Sequence, residues 1–198
     1  MGKKGVFICI EGLDGSGKTT QAQILTDRLS RSHNAVCTSE PSHGTTGTFL
    51  RECCLYDEKR LPTATEALLF AADRVEHVEN EIKPALAEGK LVICDRYVYS
   101  SLAYQGSAGL SLAWIRKINS YALQPDFAVF IDVPPERVME RLQRKKSVME
   151  TLETQRKVRD VYLNFVKEGE LVLIDGDKPI GEVADTLFNK VQSLLGTG

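Results

Sequence analysis

The chain has 198 residues, enough to bury one full hydrophobic core, so a single domain over 1–198 is expected. Its 25 basic and 27 acidic residues give a net charge of -2, which argues against a general nucleic-acid binder; no apolar run approaches the ~18 residues of a membrane span. The five cysteines and three histidines show no C-x-x-C or metal-ligand spacing, so the thiols read as small buried hydrophobes in a reducing cytoplasm.

Met1-Gly2-Lys3-Lys4 leads straight into the first apolar run, so no signal peptide is expected. Val6 to Ile10 reads as a fully buried strand. After Glu11 comes Gly12-Leu13-Asp14-Gly15-Ser16-Gly17-Lys18-Thr19, the G-x-x-x-x-G-K-T pattern, then Thr20 and helical periodicity at Ile24, Leu25 and Leu29. Glycines let backbone N–H groups turn around phosphate oxygens, and a helix N-terminus adds partial positive charge. Gly12 to Thr20 are therefore the predicted ATP-binding residues, with Lys18 reaching the β- and γ-phosphates and the Thr19 hydroxyl ligating Mg2+.

Ala35 to Ser39 is a short second strand ending in Glu40-Pro41, and a Ser/Gly/Thr-rich loop leads to a short helix carrying Arg51. Thr63 and Glu66 have capping-box spacing and open a long helix, apolar at Leu68, Leu69, Ala72, Val75, Val78 and Ile82, which Gly89 stops. Lys90 to Cys94 is a third strand with Asp95-Arg96-Tyr97 at its carboxyl end. Helical stretches follow at Tyr99 to Gln105 and Leu112 to Tyr121, then a fourth strand at Phe127 to Ile131. Pro134 and Pro135 suit the start of a helix over Glu136 to Arg144; Leu171 to Ile174 is a fifth strand, and Ile180 to Leu195 a closing amphipathic helix. Continuous apolar strands alternating with helices mean a doubly wound α/β fold: a five-stranded parallel sheet with helices on both faces. Sites belong at the carboxyl ends of its strands, where Asp14, Glu40, Asp95 and Asp175 fall. His33 and His77 read as surface residues, and His43 is given no role.

Triphosphate binding leaves a kinase, a GTPase and a motor-type ATPase open. A GTPase needs Asn-Lys-x-Asp, but Asn189-Lys190 is followed by Val191-Gln192 inside a predicted helix. A motor ATPase leaves unexplained the basic run Arg141, Arg144, Lys145, Lys146, Arg156, Lys157 and Arg159. A kinase uses such a run as a lid, here at about 144–156, closing over phosphates and excluding water.

The P-loop from Glu11 to Gln21 resembles that of thymidylate kinases. So do Leu69-Phe70-Ala71-Ala72-Asp73-Arg74, Asp95-Arg96-Tyr97, Ser100 to Gly106 and Pro125-Asp126, in the same order. The resemblance implies transfer of the ATP γ-phosphate to dTMP, giving dTDP and ADP, with Mg2+ and in a homodimer. Under it Phe70 stacks on thymine, Arg74 donates to a thymine carbonyl, and Ser101 and Gln105 line the base edge. Arg96 and Arg51 hold the acceptor phosphate, and Asp14 takes the sugar 3′-hydroxyl. Tyr104 excludes a 2′-hydroxyl, Glu40-Pro41 shapes the acceptor site with a turn often cis in the family, and Asp95 orients the Mg2+ shell. Lys18, Asp14, Arg96 and Arg144 are the expected catalytic set. Gly15 stands where some members carry an arginine, so the lid is expected to supply the missing cation from Arg144, Lys145 or Lys146. Another nucleotide or deoxynucleoside kinase of this fold, or a non-kinase P-loop ATPase, stays open at this point. The helix from Ala64 to Ile82 is the candidate dimer interface.

Overall fold

The computed structural model of the chain describes residues 5–52, 61–142 and 151–196. Five parallel strands, β1 (Val6–Gly12), β2 (Ala35–Ser39), β3 (Leu91–Asp95), β4 (Phe127–Asp132) and β5 (Val172–Asp175), form one sheet in the order β2-β3-β1-β4-β5. The five-stranded parallel α/β fold expected from the sequence is the fold observed. The central strands bury both faces, which is why Phe7 to Ile10 and Leu91 to Cys94 are uninterrupted apolar runs. Asp126 fixes where β4 meets β1: its Oδ2 accepts from the Phe7 N–H at 2.9 Å, and its own N–H donates to the Phe7 carbonyl at 2.9 Å.

Helix α1 (Lys18–Leu29) packs along β1, β2 and β3 and against the closing helix α9 (Ile180–Gly196). Helix α5 (Val98–Ser107) packs on α8 (Leu152–Lys167) and on α6 (Leu112–Ile118). The chain winds from β1 out to β2, back through β3, then across to β4 and β5. This reversal opens a crevice at the carboxyl ends of β1 and β3, where the P-loop and Asp95-Arg96-Tyr97 meet. A short helix α2 (Thr45–Leu50) and the long α3 (Thr63–His77) cover that crevice.

Several sequence expectations shift. Strand β1 runs on through Glu11 and Gly12, and β3 starts one residue later than expected. Thr63 is inside α3 rather than capping it; Pro62 holds the cap position, and no side chain bonds the first turn there. The helix then passes through a five-residue π-turn, Val78–Ile82, into α4 (Lys83–Ala87). Its buried face is also not the expected apolar one. Leu68 and Val75 are exposed at 50% and 37%, while Glu66, Asp73, Arg74 and His77 are buried. The polar face of α3 is turned inward because it lines the crevice.

His77, read as a surface residue, is therefore in the interior. Cys9 and Cys94 are buried as expected, but Cys37 is exposed because β2 is an edge strand. Cys53 and Cys54 lie outside the described residues. Helix α7 (Pro135–Arg141) begins at the expected prolines but ends before Arg144, with Leu142 already extended at φ -77°, ψ 94°. Arg144, Lys145 and Lys146 lie outside the described residues, so of the expected lid only 151–156 is seen, as the cap and first turn of α8.

Removing core volume at the sheet centre is costly, whereas an exposed edge side chain contributes little. Ile93→Ala should lower the unfolding free energy by about 3 kcal/mol in a urea titration, and Cys37→Ala by less than about 0.5 kcal/mol.

Candidate active site

The P-loop connects β1 to α1 through two glycines in the left-handed region, Gly15 at φ 83° and Gly17 at φ 90°. Gly12 is fixed by space: a Cβ there would lie 2.6 Å from Ser16 Oγ and 2.9 Å from the Ile131 carbonyl. Lys18 folds back so that Nζ donates to the Leu13 carbonyl at 2.7 Å. Burial, with the nearby Arg96 charge, lowers its pKa from 10.5 to about 8, against the opposing pull of Asp14, Asp95 and Glu11. The Ser16 hydroxyl is buried without a hydrogen-bond partner. An adjoining cleft of about 320 Å³ runs along Gly15, Gly17, Gln21, Arg141, Pro179 and Ile180. It is of a size for a nucleotide base and sugar beside the phosphate loop.

Residues that could hold a metal are Thr19 and Asp95. The Thr19 hydroxyl donates to Asp95 Oδ2 at 2.5 Å, and Asp95 Oδ1 is buried with no partner. No group of three His, Cys, Asp or Glu side chains is poised for a metal among the described residues. One carboxylate and one hydroxyl at the phosphate loop suit Mg2+, whose remaining ligands are ordinarily waters and phosphate oxygens.

Asp14 and Arg96 close the crevice. Arg96 Nη2 donates to Asp14 Oδ1, and Nη1 to Ser100 Oγ at 3.2 Å. Tyr104, on α5, donates its hydroxyl to Asp14 Oδ2 at 3.0 Å and accepts from the Asp14 N–H at 3.1 Å, with the Arg96 guanidinium 5.3 Å from its ring centre. Burial, then the Asp14 charge, pushes the Tyr104 phenol well up. Arg96 is the one described non-glycine residue with positive φ, at 70°.

The second group of expected residues assembles around Arg74. Its guanidinium donates to Glu40 Oε2 at 2.5 Å, to Ser101 Oγ at 3.3 Å and to Asn119 Oδ1, and it lies 5.2 Å from the Tyr97 ring centre. Arg74 Nε, the Tyr97 hydroxyl and Gln105 Oε1 are buried without partners. The Glu40-Pro41 bond is cis. Arg51 donates to the Pro41 carbonyl at 2.5 Å and to the Ser42 carbonyl, with His43 Nδ1 3.4 Å away. Phe70, one turn before Arg74, is half-buried.

Sequence reasoning missed the residues that hold this group in place. His77 bonds Thr38 Oγ1 at 2.7 Å and approaches Glu40 Oε1 at 3.3 Å, so Glu40 is held between His77 and Arg74. Asp73 accepts from the Ser42 N–H at 2.9 Å and hydroxyl at 2.6 Å, and Glu76 accepts from the N–H groups of Thr45 at 3.0 Å and Thr46 at 2.9 Å. Asn119 reaches Arg74 from the end of α6 while its Nδ2 donates to the Ile115 carbonyl at 2.9 Å. The signal available for His77 was its i+3 spacing from Arg74 on one helical face; Asn119 had none.

The described members of the basic run sit on carboxylates, and of them Arg141 also lines the cleft beside the phosphate loop. Arg159 forks onto Asp132 at 2.7 and 2.8 Å, Arg156 reaches Glu136 at 2.7 Å, Lys157 reaches Glu153 at 2.8 Å, and Arg141 reaches Asp177 at 3.5 Å. Arg156 and Arg159 thus fasten α8 to α7 and β4.

Residues 10–187 match the family model described as thymidylate kinase. The chain is similar to a protein of Pyrococcus abyssi named "Probable thymidylate kinase", at 42% identity over 203 positions covering 98% of this chain and 99% of that one. Proteins carrying the same name in Pyrobaculum calidifontis and Thermococcus kodakarensis are 42% and 39% identical, covering 97% and 96% of this chain and 98% and 99% of theirs.

The lowered pKa of Lys18 has a measurable consequence. The unfolded chain binds its proton up to about pH 10.5, the folded chain only up to about pH 8. Stability from this group therefore rises with pH between those values. Phosphate oxygens favour the ammonium form, so ATP binding at pH 8.5 should take up part of a proton. Calorimetric titration in buffers of different ionisation enthalpy should show that uptake in the wild type and its loss in Lys18→Met.

Proposed function

The chain belongs to the thymidylate kinase family, and from that premise we propose that it transfers the γ-phosphoryl group of ATP to dTMP, giving dTDP and ADP. One observation carries the reading. The P-loop acid Asp14 is joined to both Arg96 and Tyr104, so the phosphate loop and the α5 wall of the crevice meet at a single carboxylate.

ATP lies with its phosphates on Gly12 to Thr20 and its base and sugar in the cleft along Gln21 and Ile180. Lys18 is the phosphate ligand; the carbonyl of Leu13 that it now holds is a weaker partner than a phosphate oxygen. Mg2+ would be held by Thr19 and Asp95, directly or through water, and when bound neutralises phosphate charge. The acceptor phosphate takes the guanidinium of Arg96, aided by Arg51, which frees Asp14 to accept the sugar 3′-hydroxyl. Tyr104 stands beside Asp14, which supports its role against a 2′-hydroxyl.

Thymine lies against Phe70, with Arg74 donating to a ring carbonyl and Ser101 and Gln105 at the base edge. The buried, unpartnered Arg74 Nε and Gln105 Oε1 supply a donor and an acceptor for an imide edge. Glu40 and cis-Pro41 shape this end of the crevice. The cation replacing the one missing at Gly15 comes from the lid, at Arg144, Lys145 or Lys146.

We place the enzyme in the cytoplasm as a homodimer without nucleic-acid or membrane partners. The free thiols Cys9, Cys37 and Cys94 support the compartment, and no described helix is long and apolar enough to cross a membrane. Leu68 and Val75, seven residues apart on one face of α3, and Phe49 on the adjoining α2 leave apolar surface at 50%, 37% and 48% exposure. A second copy covering this face completes the fold's burial.

The reaction is tested by ADP release from ATP and Mg2+ across nucleoside monophosphates and thymidine. The expected outcome is strong preference for dTMP; equal release with and without acceptor, or preference for UMP or AMP, contradicts it. For the dimer, Leu68→Glu should sediment as a monomer where the wild type sediments as twice the chain mass; an unchanged mass removes α3 as the interface.

A further inference from the structure

We propose that Glu11 is a positioning residue for phosphoryl transfer: its buried carboxylate locks Arg96 into the one backbone and side-chain geometry that faces Asp14. The proposal rests on the reading of Arg96 as the ligand of the acceptor phosphate.

Arg96 sits in the left-handed region, which a residue with a Cβ enters only at a cost, and such residues persist only when their surroundings over-determine them. Here β1 supplies that determination on both sides. The Arg96 N–H donates to the Ile10 carbonyl at 3.0 Å, and the next N–H along, that of Tyr97, donates to Glu11 Oε1 at 2.8 Å. Consecutive residues of β1 therefore hold the two peptide groups flanking the Arg96 Cα.

The same carboxylate acts on the guanidinium. Glu11 Oε2 accepts from Ser100 Oγ at 2.6 Å, which commits the single Ser100 proton and leaves its lone pairs toward Arg96 Nη1 at 3.2 Å. Nη2 is thereby aimed at Asp14. A third donor, the Tyr162 hydroxyl, reaches Glu11 Oε2 at 3.0 Å from α8, with its ring stacked 4.7 Å from Phe130. The Tyr97 N–H can only donate, and the Ser100 and Tyr162 hydroxyls both stand as donors to Oε2, a set that fits an ionised carboxylate. Burial pushes the carboxyl up from its ordinary value, while Ser100, the Arg96 charge, Tyr162 and the Tyr97 N–H pull it back. A fully buried carboxylate one residue before the phosphate loop is costly unless paired. Its partners all lead to Arg96 or to the helix that follows the lid.

A merely structural Glu11 and a positioning Glu11 differ in what they share with Arg96. Glu11→Gln keeps the shape but removes the charge, and its amide NH2 turns the Ser100 hydroxyl from donor to acceptor, which releases the Ser100 proton toward Arg96 Nη1. The test is a double-mutant cycle of Glu11→Gln with Arg96→Ala, reading kcat and KM for dTMP and for ATP, with thermal melting as the control for folding. Glu11→Gln should lower kcat/KM for dTMP at least tenfold with the KM for ATP within about twofold. In the Arg96→Ala background the same change should cost less than about twofold. Losses that multiply across the two backgrounds, or a KM for ATP that rises as much as that for dTMP, overturn the proposal. If Glu11→Gln does not fold, Ser100→Ala takes its place in the same cycle with the same outcomes. An Arg96→Ala enzyme with unchanged KM for dTMP removes the underlying reading of Arg96, and the proposal with it.

Discussion

The ion pair between Asp14 and Arg96 is the constraint around which the crevice is built. It joins the phosphate loop after β1 to the turn after β3, two neighbouring parallel strands. An acidic side chain at a phosphate loop is unfavourable beside anions, and an arginine at positive φ is unfavourable anywhere. Each is tolerated because the other is there. Tyr104 steadies the acid from α5, and Glu11 and Ile10 hold the arginine from β1. In the ligand-free molecule the pair keeps both charges satisfied. Under the proposed reading a phosphate dianion offers Arg96 a better partner and frees Asp14, so gripping the acceptor phosphate and orienting the acceptor sugar are one event.

Around this centre, α3 acts as a polar scaffold rather than an apolar prop. Four successive inward-facing side chains hold the acceptor loop and its arginine: Asp73 on Ser42, Arg74 on Glu40, Glu76 on Thr45 and Thr46, and His77 on Glu40 and Thr38. Buried polar networks of this kind are stabilising only when most members are satisfied. Of the three unsatisfied atoms here, Arg74 Nε and Gln105 Oε1 belong to residues assigned to the base edge, and the third is the Tyr97 hydroxyl. The cost is carried where a ligand would remove it. The apolar side of α3, displaced outward, is left exposed at Leu68 and Val75.

How much of this was legible in the sequence follows from which residues obey local rules. The strands of the buried sheet, the phosphate loop and the proline-initiated α7 were readable because each satisfies a short-range requirement: an apolar run, a glycine at positive φ, a fixed proline φ. The apolar stripe of α3 was legible but the direction it faces was not, because in this helix the inside is a binding crevice lined by polar side chains. His77 was misplaced for the same reason. Arg156 and Arg159 counted as lid cations because charge clustering is visible in sequence and pairing is not. Their partners Glu136 and Asp132 lie 20 and 27 residues away. Asp14 and Glu40 were visible as acids at strand ends, Arg74, Ser101 and Tyr104 only through the resemblance to a known family, and the structure brings them into two groups, one at Asp14 and one at Arg74.

The central claim is that the guanidinium released from Asp14 is the acceptor-phosphate ligand. Calorimetric binding of dTMP and of thymidine, which differ only by the phosphate, to the wild type and to Arg96→Ala tests it most directly. The account predicts that Arg96→Ala weakens dTMP about a hundredfold, equivalent to roughly 2.7 kcal/mol, and leaves thymidine nearly unchanged. Equal weakening of both ligands, or of neither, would contradict it.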